Sequence, residues 1–274
     1  MNRMMVGFVA LLLFGPALPA LDDTKNKDHP KDQTKAEKPR TPAEQYQAVA
    51  RDYQNAMQEF SKAYQAAKSQ EERNTIFKEK YPNAQKYADR MSEIAEKNPK
   101  DDAAVDALAW IVTNVRYGLP ANKALNVLAR DHVASKKLGP VCLSLIYSDS
   151  QAATDFLRAV VEKNQEHDVQ GQACYALGVL LKNLSERQIL AKAENEKMQK
   201  EAEGLLDRAL EKYGNVKLGR GMLADRAKGE LFEIRNLAIG KTAPDIQGED
   251  LDGKPFKLAD YHGRVVVLDF WGHW

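Results

Sequence analysis

From Thr41 to about residue 236, apolar side chains recur at steps of three and four, a period that commits most of the chain to helices packed on one another. The first stripe runs through Tyr46, Val49, Tyr53, Met57, Phe60 and Tyr64. Thr41, Pro42 and Glu44 introduce it as an N-cap, a proline at the first helical position and a capping-box acid three residues on. A second stripe, Ala84, Tyr87, Met91 and Ile94, follows Pro82. A third, Val105, Leu108, Val112 and Val115, follows Asp101 and Asp102, whose charges suit the positive end of a helix. Further helices are predicted over 124–133, over 141–147 after Gly139 and Pro140, and over 151–161. Short neighbouring helices of this sort pack antiparallel.

The next helix, over 169–184, spaces Ala173, Ala176, Leu177, Gly178 and Leu181 much as in the first helix of a tetratricopeptide-like repeat, a loose resemblance. Its partner stripe is Ala202, Leu206, Ala209, Leu210 and Tyr213, and the charged stretch 194–201 before it reads as a solvated extension of the same helix. A last helix is predicted over 222–236. The fold class expected is therefore mainly α: an irregular, repeat-like helical array over 41–236.

After residue 236 the texture changes. Gly240, Pro244, Gly248, Gly253 and Pro255 interrupt the chain, and Val265–Phe270 is a continuous β-branched run that reads as a buried strand. Asp252-Gly253 is a hairpin signal, because glycine accepts positive φ, and it joins 246–251 to 256–258 as a small ribbon. A domain boundary near Leu237 follows.

The first twenty residues carry Arg3, an apolar run from Val6 to Phe14, then Gly15, Pro16 and small residues up to Ala20. That pattern is a secretory signal, cut after Ala20 or after Ala17. The apolar run is shorter than the roughly 20 residues that span a bilayer, so an uncleaved anchor is the weaker alternative. The mature protein is accordingly expected in the periplasm or cell envelope. Residues 21–40 are almost all charged or polar and read as a flexible tether.

Composition excludes some functions. The charged fraction is 29%, but the signs cancel to a formal +1, which leaves no basic field for nucleic acid. The histidines, His29, His132, His167, His262 and His273, share no metal-ligand spacing, so no metal site and no cofactor are expected. Gly219-Arg220-Gly221 is too short for a phosphate loop. The only cysteines, Cys142 and Cys174, lie in predicted helices among apolar neighbours and read as small buried hydrophobes. They form a candidate disulfide if their Cα atoms come within about 7 Å.

The tail, 239–274, resembles the start of the exported thioredoxin-like redoxins, the TlpA/ResA type of thiol-disulfide oxidoreductase related to AhpC/TSA proteins. The resemblance rests on Gly240, Ala243, Pro244 and Asp245, on Asp252, Gly253, Lys254, Phe256 and Leu258, on Tyr261 and Gly263, and on Phe270, Trp271 and Trp274. It implies an incomplete thioredoxin-like α/β domain over 237–274, with Phe270, Trp271 and Trp274 flanking the redox motif. In that family a Cys-x-x-Cys pair comes next, at a helix start that lowers the thiolate pKa. The sequence holds no such motif, so no catalytic residue is assigned and the chain as given is expected to be inactive. A truncated or frameshifted reading of the gene, or a UGA codon translated as selenocysteine, would each account for it.

The resemblance implies a protein disulfide substrate or reductant as partner, with the helical part recruiting a protein or positioning the redox part. Two alternatives remain: a helical-repeat scaffold with a vestigial redox tail, and a fragment of a peroxiredoxin-type peroxidase.

Overall fold

The computed structural model describes residues 40–115, 118–187, 191–270 and 272. The expected signal segment and most of the tether, with Trp271, His273 and Trp274, lie outside the described residues.

The chain is mainly helical. Helix α1, Pro42–Ala66, starts as its sequence predicts: the Thr41 hydroxyl accepts from Glu44 N at 3.2 Å, and the Glu44 carboxylate accepts from Thr41 N at 2.7 Å. Helix α2, Gln70–Lys80, is capped by Ser69 and has no buried residue. Its Phe77 and the following Tyr81 stack instead on Phe60 of α1. The sequence offers no stripe here because Ile76 and Phe77 are adjacent rather than one turn apart.

Helices α3, Ala84–Lys97, and α4, Asp102–Val115, form the next layer. Tyr53 of α1 meets Tyr87 of α3 and Trp110 of α4 edge to face, with ring centroids 5.1 and 5.0 Å apart, which fixes α1 across that pair. Helix α5, Leu119–Asp131, begins earlier than its stripe indicates because Pro120 sits in its first turn. Helix α6, Gly139–Ser144, is shorter than expected and ends in a turn before Tyr147. Helix α7, Gln151–Lys163, agrees closely with its predicted span.

The tightest packing joins α8, His167–Glu186, to α9, Lys192–Tyr213. Two glycines allow it. A Cβ on Gly171 would lie 2.6 Å from the Tyr213 Cβ, and one on Gly178 would lie 2.8 Å from the Leu206 Cγ. Only a bare backbone fits at that separation. Arg158 of α7 pairs with Glu201 of α9 on the flank. The charged stretch 194–201 is a continuous part of α9, as expected.

The last helix departs from expectation. Met222 belongs to a two-stranded ribbon of β1, Lys217–Leu218, and β2, Gly221–Met222. Helix α10 covers Leu223–Phe232, and a π-helical turn, Glu233–Leu237, succeeds it. Ala238 N donates to Glu233 O at 3.0 Å, the five-residue span of that turn. The hydrophobic core is one cluster running from Val49 to Ile234. Among the described residues, no helix is long and apolar enough to cross a membrane.

The tail contains a second ribbon, β3, Gln247–Glu249, antiparallel to β4, Pro255–Lys257, with Gly248 opposite Phe256. The hairpin expected at Asp252-Gly253 is present, with shorter strands than its sequence suggests. The strand expected at Val265–Phe270 is not formed: this run takes no regular secondary structure and lies open, with Val265 98% and Val267 88% exposed. A strand is stabilised by ladder partners and a covered face, and the two-stranded ribbon provides neither.

Candidate functional site

The redoxin-like segment is ordered by its acids. Asp250 Oδ1 accepts from Asp252 N at 3.0 Å and Lys254 N at 2.9 Å, holding the loop between β3 and β4 while Gly253 turns it at φ 77°. Asp245 Oδ1 accepts from Ala259 N at 2.9 Å, and Leu258 N donates to Ile246 O at 2.8 Å, extending the ribbon by one pair. Asp260 then caps the short turn Leu258–Tyr261 by accepting from Lys257 N. The segment thus presents a hairpin, a turn and an open apolar run. Phe270, expected to pack beside a redox motif, is 82% exposed. Its expected companions Trp271 and Trp274 lie outside the described residues.

Neither cysteine is placed for exchange chemistry. Cys142 on α6 and Cys174 on α8 are separate, buried thiols. Burial pushes the Cys142 pKa far above the ordinary thiol range. Burial also pushes Cys174 up to about 11, against the opposing charges of Arg208 and Lys212, and its Sγ donates to Leu205 O at 3.2 Å. At neutral pH both remain protonated and shielded, the reverse of a reactive thiolate.

The histidines are scattered. His132 closes α5, and His262 follows the turn that Asp260 caps. His167 starts α8, where its Nε2 lies 3.2 Å from Lys212 O and its Nδ1 lies 3.2 Å from Asp168 Oδ1. Among the described residues, no three His, Cys, Asp or Glu side chains gather into a set that could hold a metal ion.

Sequence reading misses a cluster at the exit from the helical body. Lys182 of α8, whose side chain is only 6% exposed, donates to Glu230 Oε2 of α10 at 2.6 Å and also to Glu233 of the π-turn. Burial acts to lower the Lys182 pKa, but its hydrogen bonds to the two carboxylates outweigh this and raise it, so the ammonium stays charged. On the other side of the turn, Arg235 bonds Glu203 Oε1 at 2.7 Å and both carboxylate oxygens of Asp207 at 2.9 and 2.7 Å, all on α9. The π-turn is therefore fastened to α8 through one side chain and to α9 through another. The available signal was Lys182 itself, a lone charge within the apolar run 173–184.

Beside this turn lies a groove of about 870 Å³. One wall is the end of α8 and the projecting start of α9, with Glu186, Lys192 and Glu196. The other is the chain leaving the π-turn, with Glu233, Leu237 and Ile239.

No family model matches the chain. No solved structure matches it. Local similarity exists to curated proteins. A stretch of 38 residues is 50% identical to the thiol-disulfide oxidoreductase ResA of Geobacillus thermodenitrificans, covering 14% of this chain and 22% of that protein. Over 47 residues the chain is 40% identical to ResA of Bacillus thuringiensis subsp. konkukian, covering 17% of this chain and 27% of that protein. Over 57 residues it is 40% identical to ResA of Bacillus anthracis, covering 21% and 28%.

The chain contains a region similar to ResA thiol-disulfide oxidoreductases. It spans about a quarter of the length of these curated relatives.

Proposed function

We propose that this protein is an exported thioredoxin-like redoxin whose redox part begins near Leu237, carried on a helical array over 41–236 that recruits a protein partner or positions the redox part. The observation that carries this reading is the local identity of 40–50% with ResA oxidoreductases. The ribbon closed at Gly253 supports it, because it is built from the residues that carry the resemblance. The first twenty residues support export through their basic start, apolar run and small-residue end.

Thiol–disulfide exchange needs an accessible thiolate that attacks a disulfide sulfur and a second thiol that resolves the mixed disulfide. Cys142 and Cys174 are unsuited to either role, being buried with raised pKa values. Residues 237–274 hold no cysteine, so exchange is assigned to a thiol or selenol that the native protein carries in its redoxin part beyond Trp274. The test is reduction of a small-molecule disulfide by the protein purified from its native host, beside a Cys142→Ala/Cys174→Ala variant from the same host. Equal turnover by both is expected. No turnover, or turnover lost with the two alanines, sinks the reading.

One observation favours a second reading, a helical interaction protein: among the described residues, the buried apolar core lies between Val49 and Ile234. The same assay separates the two, since a scaffold turns over nothing.

A further inference from the structure

The groove beside the π-turn has three properties that belong to a recognition site. Its volume, about 870 Å³, is in the range that accepts a compact ligand or a few side chains of a peptide. Its linker wall is held in place, because Lys182 fastens Glu233 to α8 and Arg235 fastens the same turn to α9. A preformed wall loses little entropy when a ligand settles on it. π-turns are rare and concentrate at functional positions, and this one forms the floor from which that wall rises.

The lining states what chemistry fits. Leu237 and Ile239 are apolar side chains 56% and 86% exposed on the linker wall. On the helical wall Glu186 and Glu196 are exposed carboxylates, and Lys192, the one cation among the described lining residues, is 3.9 Å from Glu196. Glu233, at the base of the linker wall, is paired with Lys182 below. The groove is thus apolar on one side and net acidic on the other.

We propose that it docks an extended polypeptide segment in which apolar residues alternate with lysine or arginine, the apolar side chains covering Leu237 and Ile239 and the cations facing Glu186 and Glu196. Alternation matters because successive side chains of an extended segment point to opposite walls. Resting on the oxidoreductase reading, this makes the groove the place where a basic polypeptide partner is held at the root of the redox part.

The test uses the full chain and fluorescence anisotropy of three labelled hexapeptides: alternating Leu and Lys, alternating Leu and Glu, and alternating Gly and Lys. Saturable binding of the Leu/Lys peptide is expected, with affinity at least tenfold weaker for each of the others. Glu186→Lys/Glu196→Lys changes two exposed side chains and should weaken the Leu/Lys peptide at least tenfold; Ile239→Ser should weaken it severalfold, with helical circular dichroism unchanged in both. No saturable binding, equal binding of the Leu/Glu or Gly/Lys peptide, or undiminished binding by the charge-reversed variant overturns the proposal. The readout involves no thiol, so failure here leaves the oxidoreductase reading standing, and failure of disulfide turnover leaves the groove standing.

Discussion

The helical body and the tail after the π-turn draw on the same apolar residue types and put them to opposite use. In the body, Phe156, Leu177, Leu180 and Leu206 are wholly enclosed, and α8 and α9 approach until only glycine fits between them. In the tail, Val265, Val267 and Phe270 lie open, and order comes from carboxylates accepting backbone N–H groups around two turns. Stability thus resides in one region and family resemblance in the other. The difference teaches that a strand-forming sequence is only half of a strand: helices satisfy their backbone locally, whereas Val265–Phe270 depends on partners elsewhere in a sheet.

The comparison breaks first if core truncation is cheap. Phe156→Ala empties a fully buried site and is expected to cost about 3–5 kcal/mol in urea unfolding of the full chain. Next comes the fastening at the body's exit. Lys182→Met leaves Glu230 and Glu233 without their cation and should cost about 3 kcal/mol, the low end for a broken buried pair because Glu233 is half-exposed. Adding Glu230→Gln should recover part of that loss.

A smaller effect concerns pH. The Cys174 pKa is raised in the fold to about 11 from an ordinary 9.0, so its contribution is complete below pH 9 and is lost as pH rises from about 9 to about 11. Tyr175, raised to about 12 chiefly by burial, extends the decline upward. Unfolding free energy measured across that window should fall by on the order of 1–2 kcal/mol more in the wild type than in Cys174→Ala. The smallest effect is the sharpest contrast with Phe156: Val267→Ala should change stability by less than about 0.5 kcal/mol, because its side chain is already in water.

Much of the body was legible. The Thr41 capping box, the stripe of α3 after Pro82 and the charged lead-in of α9 are local signals, and each helix formed where its signal lies. Helix α2 was not legible, since its two strong apolar residues are neighbours and its packing is an aromatic contact with α1. The π-turn leaves no local period, and its fastening joins Lys182 to partners 48 and 51 residues away. In the candidate site, the turn at Gly253 was legible because positive φ demands glycine; the open state of Val265–Phe270 was not, because it depends on sheet partners that the run itself does not encode. The groove was invisible for the same reason, being built from the end of one helix, the start of another and a linker.

Amide hydrogen exchange on the full chain tests this division of labour most directly. The account predicts the slowest exchange in α8 and the buried half of α9, and exchange close to that of an unfolded peptide across Val265–Phe270. Protection of Val265–Phe270 comparable to that of α8 would contradict it.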